Sequence, residues 1–203
     1  MENLTNEFAN GATNGTIPQK DYYTTLHQVA LAISSSLELK QVLPNIVRSV
    51  SEAMGAKASM LRLLDSESGQ LQVSAAYGLS NDYLQKGPVN IQHSRLDSEI
   101  LCCAPVYIAD VRSDERFQYR EAAAREGLVS ALCVPLEVHD EAIGVLRVYS
   151  SKPTTFADED LKFLTILASL AAQAIENARL YDAVKTTYDG VINAFWGTQP
   201  LVQ

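Results

Sequence analysis

Apolar positions in the first quarter of the chain recur at helical spacing. One stripe runs from Leu26 to Leu37 and a second from Val42 to Met54. Intervals of three and four predict two amphipathic helices. Because proline is tolerated only in the first turn of a helix, the second helix is expected to start shortly before Pro44. Gly55 is expected to cap its C-terminal end. Residues 1–20 lack any such period, which predicts a disordered leader.

The period changes to strand-like alternation in the middle of the chain. A dense apolar run over residues 58–64 and an alternating run over residues 71–75 flank a Gly-containing turn, which predicts a hairpin. Residues 128–138 and 142–150 flank a short polar turn and predict a second hairpin. Residues 106–108 form a further short strand in this interpretation.

The segments between and after these hairpins complete the pattern. Residues from Gly78 to Leu101 are irregular, and a connection of this length inside a domain usually serves as a lid over a site or is partly mobile. Phe117–Glu126 is predicted to be a short helix. A long helix follows from Asp158, where an acidic first turn complements the positive end of the helix dipole. Antiparallel hairpins with helices on one face define an α+β protein.

Composition limits the classes of function. The 203 residues are 47% hydrophobic and 20% charged, as in an ordinary globular protein, and the net charge is −8. That charge argues against binding to nucleic acid or to an anionic membrane surface. The longest near-apolar run, Phe163–Ile175, is shorter than a membrane span requires. With no secretory signal at the start, a cytoplasmic protein is expected.

Several short motifs, by their order and spacing, resemble the GAF family of small sensory domains. They are Pro135-Leu136, Ile143–Leu146, Phe156 with Asp158–Asp160, and Ala174–Tyr181. The resemblance covers about residues 24–182. It implies a GAF fold with a central antiparallel sheet of about five or six strands. The N- and C-terminal helices would cover one face, and a lid plus the short helix would cover a pocket on the other.

The resemblance also implies a domain organisation and a function. Residues 21–182 would form the GAF domain, between the leader over residues 1–20 and a helical extension or tail over residues 183–203. The implied function is that of a non-catalytic sensor in signal transduction that binds a small ligand under its lid. An empty dimerisation scaffold is one alternative. Because GAF domains bind cyclic nucleotides, haem, bilins, small anions or nothing known, the resemblance leaves the ligand and any cofactor unidentified.

A second alternative is an enzyme, since some GAF proteins reduce free methionine sulfoxide with separated lid cysteines. Here the lid has only the adjacent pair Cys102 and Cys103, and Cys133 lies mid-strand, where core packing explains it. We therefore predict no catalytic residue. No Cys or His falls at zinc-ligand spacing, and the short helix lacks the Cys-His pair that bilin attachment resembles. His93, in the lid, is the one histidine that could face a cavity.

Two arginines interrupt the central strands and point to the site. Side chains alternate along a strand, so Arg147 shares a face with Val145 and Tyr149, whereas Gly144 lies on the helix side. The GAF fold places the first strand next to the last, which would bring Arg62 beside Arg147. Both guanidinium groups are therefore predicted to face the pocket.

Further residues complete the predicted site. Tyr107 and Phe117 are candidates for its walls. Two buried guanidinium groups require negative partners. Either an internal acid such as Asp110 neutralises them, or they await a small anionic ligand, and both alternatives stay open at this point.

The long helix carries two apolar stripes. Residues from Leu161 to Ala178 form one, which can cover the sheet of the same domain. The second has the spacing of a coiled coil and comprises Phe163, Leu167, Leu170, Ala174, Asn177, Tyr181 and Val184. Either both stripes pack within one chain, or the second forms the seam of a homodimer through helix 158–184. We expect the homodimer, with Asn177 setting its register.

Overall fold

The structure is a computed structural model that describes residues 21–36, 38–102 and 104–196. The predicted leader, Leu37, Cys103 and residues 197–203 lie outside the described residues. The helices are α1 (Tyr22–Ser35), α2 (Leu39–Met54), α3 (Asn81–Leu84), α4 (Arg95–Leu101), α5 (Arg120–Arg125) and α6 (Asp158–Trp196). The strands are β1 (Ala58–Asp65), β2 (Gln70–Tyr77), β3 (Val89–Asn90), β4 (Val106–Ile108), β5 (Ser130–Val138) and β6 (Glu141–Ser150).

The six strands form one antiparallel sheet in the order β3-β2-β1-β6-β5-β4. Both predicted hairpins are confirmed, as is the α+β fold class. The β5–β6 turn has left-handed backbone at His139 and Asp140, with φ of 51° and 65°, which matches the twist of a tight hairpin. The central pair β1–β6 places Met60 opposite Arg147 and Arg62 opposite Val145.

Gly144 shows why β1 and β6 can lie so close together. A Cβ atom at this position would collide with the carbonyl oxygen of Arg62 and press against the Leu136 side chain. Only glycine therefore fits here, where the backbones of the two strands approach each other.

The sheet separates two cores. On one face α1, α2 and α6 pack against Leu61, Leu132, Val134, Leu146 and Val148. On the other face the lid and α5 cover Met60, Val145 and Tyr149. This alternation along β6 confirms the predicted placement of Leu146 and Val148 against the helices and of Val145 and Tyr149 on the pocket face.

Several short elements differ in extent from the sequence prediction. The segment predicted to be irregular contains α3, β3 and α4, because Ser80 and Ser94 each cap a helix that is too short to show a period. The short helix is Arg120–Arg125 and begins later than predicted, after turns. In α2, Pro44 is the sixth helical residue. It lies beyond the predicted first turn and leaves the Lys40 carbonyl without its helical donor.

The first half of α6 corrects the predicted dimer seam. Phe163 stacks on Tyr22 of α1 with ring centroids 4.0 Å apart, and Leu167 is fully buried in the helix-side core together with Ala174. This part of the second stripe therefore packs inside the chain, because α1 and α2 cover the side of α6 that faces away from the sheet. Between Leu180 and Ile192 the large apolar side chains of α6 are exposed, among them Tyr181, Val184, Tyr188 and Val191. In the described part of the chain, no helix is long and apolar enough to cross a membrane.

Candidate functional site

A small cavity lies between the central strands and the lid. Its volume is about 10 Å³, which is the room that about one water molecule needs. Its walls are formed by Met60, Arg62, Tyr83, Lys86, Val89, Leu96, Asp97, Phe117, Gln118, Tyr119 and Arg147. Three basic side chains therefore meet one carboxylate in a nearly closed space.

Arg147 is buried in this cavity and has an acidic partner. Its Nη2 forms an ion pair with the Asp97 carboxylate, which reaches down from α4. The Ser94 hydroxyl donates to the other Asp97 oxygen at 2.6 Å and thereby orients the carboxylate. Burial, the largest single effect, lowers the pKa of Arg147, but the charge of Asp97 and the interactions with Tyr149 and Cys133 together outweigh it, and the pKa is raised. The Arg147 guanidinium also lies 5.9 Å from the centre of the Phe117 ring.

Arg62 is 1% exposed and has only part of its hydrogen bonding satisfied. Its Nη1 donates to the carbonyl oxygen of Leu71 on β2 at 2.9 Å. Its Nε and Nη2 are buried and have no hydrogen-bond partner. Burial, and then the charge of Arg147, lower the pKa of Arg62. A desolvated cation with unpaired donors is costly, so this side chain has unused capacity to bind an anion.

Lys86 approaches the same space from the lid. Its Nζ lies 3.1 Å from the centre of the Tyr83 ring and 5.6 Å from that of Tyr119, and it donates to the Tyr83 carbonyl oxygen at 3.1 Å. Burial lowers the pKa of Lys86 to about 6, and the charges of Arg62 and Arg147 act in the same direction. The amine is therefore largely neutral at pH 7.

Two buried tyrosine hydroxyls add to the unpaired donors. Tyr83 of α3 and Tyr149 of β6 meet edge to face, with ring centroids 6.5 Å apart. Neither hydroxyl has a partner in good hydrogen-bond geometry, although the two hydroxyls lie close enough to interact with each other, and that of Tyr149 with Arg147. Desolvation by burial is the main reason that the pKa of each is raised, so both hydroxyls keep their protons and can donate.

The structure brings together some of the predicted site residues. Arg62, Arg147 and Phe117 line the cavity, and Tyr149 lies beside them on the same face of the sheet. The two arginines project from neighbouring strands beneath the lid, as predicted. Ligand binding by any of these residues stays a prediction.

Three predicted site residues lie elsewhere. Tyr107 alternates with the buried Val106 and Ile108, so its side chain points away, is 43% exposed and donates to the Thr154 carbonyl oxygen at 3.0 Å. Asp110 pairs with Arg112 at the surface instead of neutralising the buried arginines. His93 is exposed in the turn before α4.

Sequence reasoning missed Asp97, Lys86 and Tyr83. The spacing of Ser94 and Asp97 is typical of a helix N-terminus and could have marked the start of α4. That spacing carries no sign that Asp97 also meets Arg147, which is 50 positions away. Lys86 stands in a Lys-Gly-Pro turn, a pattern that by itself indicates a solvated loop.

Cys133 lacks the environment of a reactive thiol. Cys133 is fully buried in β5, and burial raises the pKa of its thiol to about 11. Cys102 is exposed at the end of α4, and Cys103 lies outside the described residues. Among residues whose side chains the structure describes, no cluster of three or more His, Cys, Asp or Glu could hold a metal ion.

The buried ion pair generates a stability prediction. Asp97→Asn keeps the side-chain shape but leaves Arg147 buried without a counter-charge, and we expect a loss of about 3–5 kcal/mol in the free energy of unfolding. Asp110→Asn, the matched change in the exposed pair with Arg112, should alter stability little. Urea unfolding followed by circular dichroism compares the two variants. Equal effects would contradict the role assigned to Asp97.

Lys86 generates a prediction about pH. In the unfolded chain a lysine titrates near pH 10.4, well above its value in the cavity. Between these two pH values the unfolded chain binds more protons, so the contribution of Lys86 to the free energy of unfolding grows as pH rises. At each pH, the free energy of unfolding of Lys86→Met is subtracted from that of the wild type, which cancels the contributions of the other titrating groups. This difference should increase between about pH 7 and pH 9. A difference that does not change with pH would place the Lys86 amine in solvent.

Comparisons with known proteins agree with this architecture. The chain is 27% identical over 165 residues to the Nif-specific regulatory protein of Herbaspirillum seropedicae, covering 79% of this chain and 30% of that protein. The Nif-specific regulatory protein of Azorhizobium caulinodans is 24% identical over 173 residues, covering 82% of this chain and 28% of that protein. The chain therefore spans less than a third of the length of these relatives.

Solved structures support the same fold. The GAF domain of a phosphoenolpyruvate-protein phosphotransferase from Coxiella burnetii superposes with a TM-score of 0.72 at 23% identity, covering 80% of this chain and 97% of that one. The sequence model of the GAF domain matches residues 36–176, which is most of the chain. The protein is thus similar to signalling and regulatory proteins in this domain, and it belongs to the GAF domain family.

Proposed function

We propose that this GAF domain is a regulatory sensor without catalytic activity and that it binds a small anion in the cavity beneath its lid. One observation carries the proposal: Arg62 is fully buried at the cavity with two N–H donors unpartnered. The buried donors of a structural arginine are normally satisfied by protein groups or by ordered water. An anionic ligand would supply the missing partner and the missing negative charge.

The charges around the cavity support the same proposal. Arg62 and Arg147 carry two positive charges, and Lys86 adds a third when it is protonated, whereas Asp97 supplies one negative charge. Charges buried without compensation are retained in proteins mainly at functional sites. An anion would relieve the repulsion among the three cations, which links binding to the protonation of Lys86.

A route for the signal follows from the alternation along β6. Arg147 faces the cavity, while its neighbours Leu146 and Val148 pack on the side that α6 covers. Anion binding that shifts Arg147 or the lid would therefore act on the same strand that supports α6. The similarity to Nif-specific regulatory proteins supports a regulatory role for such a shift.

The reductase alternative has less support. The free methionine-R-sulfoxide reductase of Neisseria meningitidis shares the fold, with a TM-score of 0.66 and 20% identity. The superposition covers 79% of this chain and 91% of the reductase chain. The raised pKa of the buried Cys133 thiol speaks against that residue as a nucleophile, and the adjacent pair Cys102 and Cys103 differs from the separated lid cysteines of such an enzyme. An empty scaffold would have no use for the unpaired donors of Arg62.

We also propose a homodimer, with its seam moved to the end of α6. Tyr181, Val184, Tyr188 and Val191 are at least half exposed, and with Asn177 they follow the alternating intervals of four and three that a coiled coil requires. These residues continue the predicted stripe beyond the part that packs inside the chain. A second copy of the same helix would bury them.

The ligand proposal is tested with protein purified from cells under native conditions. Native mass spectrometry should detect a small anionic adduct on the wild type. Arg62→Met should weaken its binding by about 1.5–3 kcal/mol, the value of one charged contact. Arg112→Met, at the exposed pair with Asp110, should leave the adduct in place. A bare wild-type mass, together with no stabilisation by any small anion, would argue for the empty scaffold.

The dimer proposal is tested by light scattering on the full chain. Val184→Glu combined with Tyr188→Glu places like charges in the seam, so the variant should be a folded monomer. Thr186→Glu, on the opposite side of the same helix, should remain dimeric. If the double variant stays dimeric, the subunits meet elsewhere.

A further inference from the structure

We infer that the Nε–Nη2 edge of Arg62 is the recognition element of the cavity and that it binds a compact planar oxyanion, such as a carboxylate or nitrate, through two parallel hydrogen bonds. The inference depends on the proposed anion site, and it adds the position and the chemical class of the ligand. The geometry of one guanidinium group, its neighbours and the room around it carry the argument.

The orientation of Arg62 is set by the sheet. Nη1 donates to the Leu71 carbonyl oxygen, which holds the planar group against β2. The two remaining groups, Nε and Nη2, are on one side of the guanidinium fork, with the spacing of the two oxygens of a carboxylate. Both are buried and unpartnered. Arg62 therefore presents a fixed pair of donors.

The same chain uses this edge for carboxylates elsewhere. Arg112 donates from Nε and Nη2 to the two oxygens of Asp110, at 2.8 and 2.6 Å. Arg116 makes the same pair of bonds to Asp114, at 3.1 and 2.7 Å. Arg62 has the same edge in a buried position, with no acid on it.

The neighbouring groups favour a ligand that only accepts hydrogen bonds. Nη2 of Arg147 already donates to Asp97, so the complete pair of unpartnered donors belongs to Arg62. Nε of Arg147 is also buried without a partner. The hydroxyls of Tyr83 and Tyr149 are unpartnered as well. A single water molecule has two hydrogens of its own to place and can accept few of these bonds. An oxyanion accepts at every oxygen.

The size of the cavity selects a compact ligand. With room for about one water molecule, it accepts three or four heavy atoms only if a lining side chain moves. Lys86 is the candidate for this movement, because it is half-buried and reaches in from the lid over the Tyr83 ring. A flat group requires a smaller displacement of the lining side chains than a tetrahedral one.

The test measures the melting temperature of the full chain while sodium formate, nitrate or sulfate replaces sodium chloride at constant ionic strength. Formate or nitrate should stabilise the wild type saturably and more than chloride or sulfate. Arg62→Lys keeps the charge but loses the paired donors, so its affinity should fall about tenfold or more. Arg112→Lys serves as the matched control and should behave as the wild type. A larger response to formate assigns a carboxylate, and a larger response to nitrate assigns an inorganic anion.

Two outcomes overturn the inference and differ in what they imply. If sulfate or chloride stabilises the wild type saturably and as well as the planar anions do, or if Arg62→Lys binds the planar anions unchanged, the anion site stands but its assignment to the Arg62 edge fails. If no anion stabilises the wild type, the proposed function fails too. Should Arg62→Lys not fold, Arg62→Gln replaces it, because it removes the paired donors and the charge but keeps a planar polar group. Unchanged formate and nitrate affinity in that variant would equally overturn the assignment.

Discussion

The ion pair between Arg147 on β6 and Asp97 on α4 ties the lid to the sheet, and the arrangement of the cavity depends on it. The surrounding face of the sheet is apolar, with Met60 and Val145 next to the guanidinium group. A cation in such a place requires a buried counter-charge, and the lid supplies it. Because Ser94 both caps α4 and orients Asp97, the local structure of the lid and its attachment to the sheet stabilise each other.

Arg62 stands beside this pair without an acid of its own. Under the proposed function, Arg147 has the structural role and Arg62 the binding role. Arg147 has a carboxylate, whereas Arg62 has one backbone carbonyl and two open donors. Lys86 reaches the same cavity from the lid, where burial, and then the charges of Arg62 and Arg147, lower its pKa. Under the proposed function, an arriving anion would change the interactions of Arg62, Arg147 and Lys86 at once.

The long helix α6 combines two environments. Its first half is enclosed by the sheet on one side and by α1 on the other, as Leu167 and the stacked Phe163 show. Its second half leaves the domain with Tyr181 and Tyr188 exposed along one side. The helix therefore connects the core behind the cavity to a surface that is available to a partner.

The sequence by itself determined the fold class, both hairpins, and the faces of β6, because a period of two assigns alternate residues to opposite sides wherever the strand lies. Arg147 and Arg62 could be placed in this way. Only the tertiary structure decided what meets them. Asp97 has a complete local role in a helix cap and Lys86 in a turn, so nothing in either segment pointed to a partner on the sheet. The stripe of α6 likewise shows that one side must be covered, but its period is the same whether α1 or a second chain covers it. Contacts between residues far apart in the chain, such as Tyr22 on Phe163, show that α1 covers the first half of the stripe.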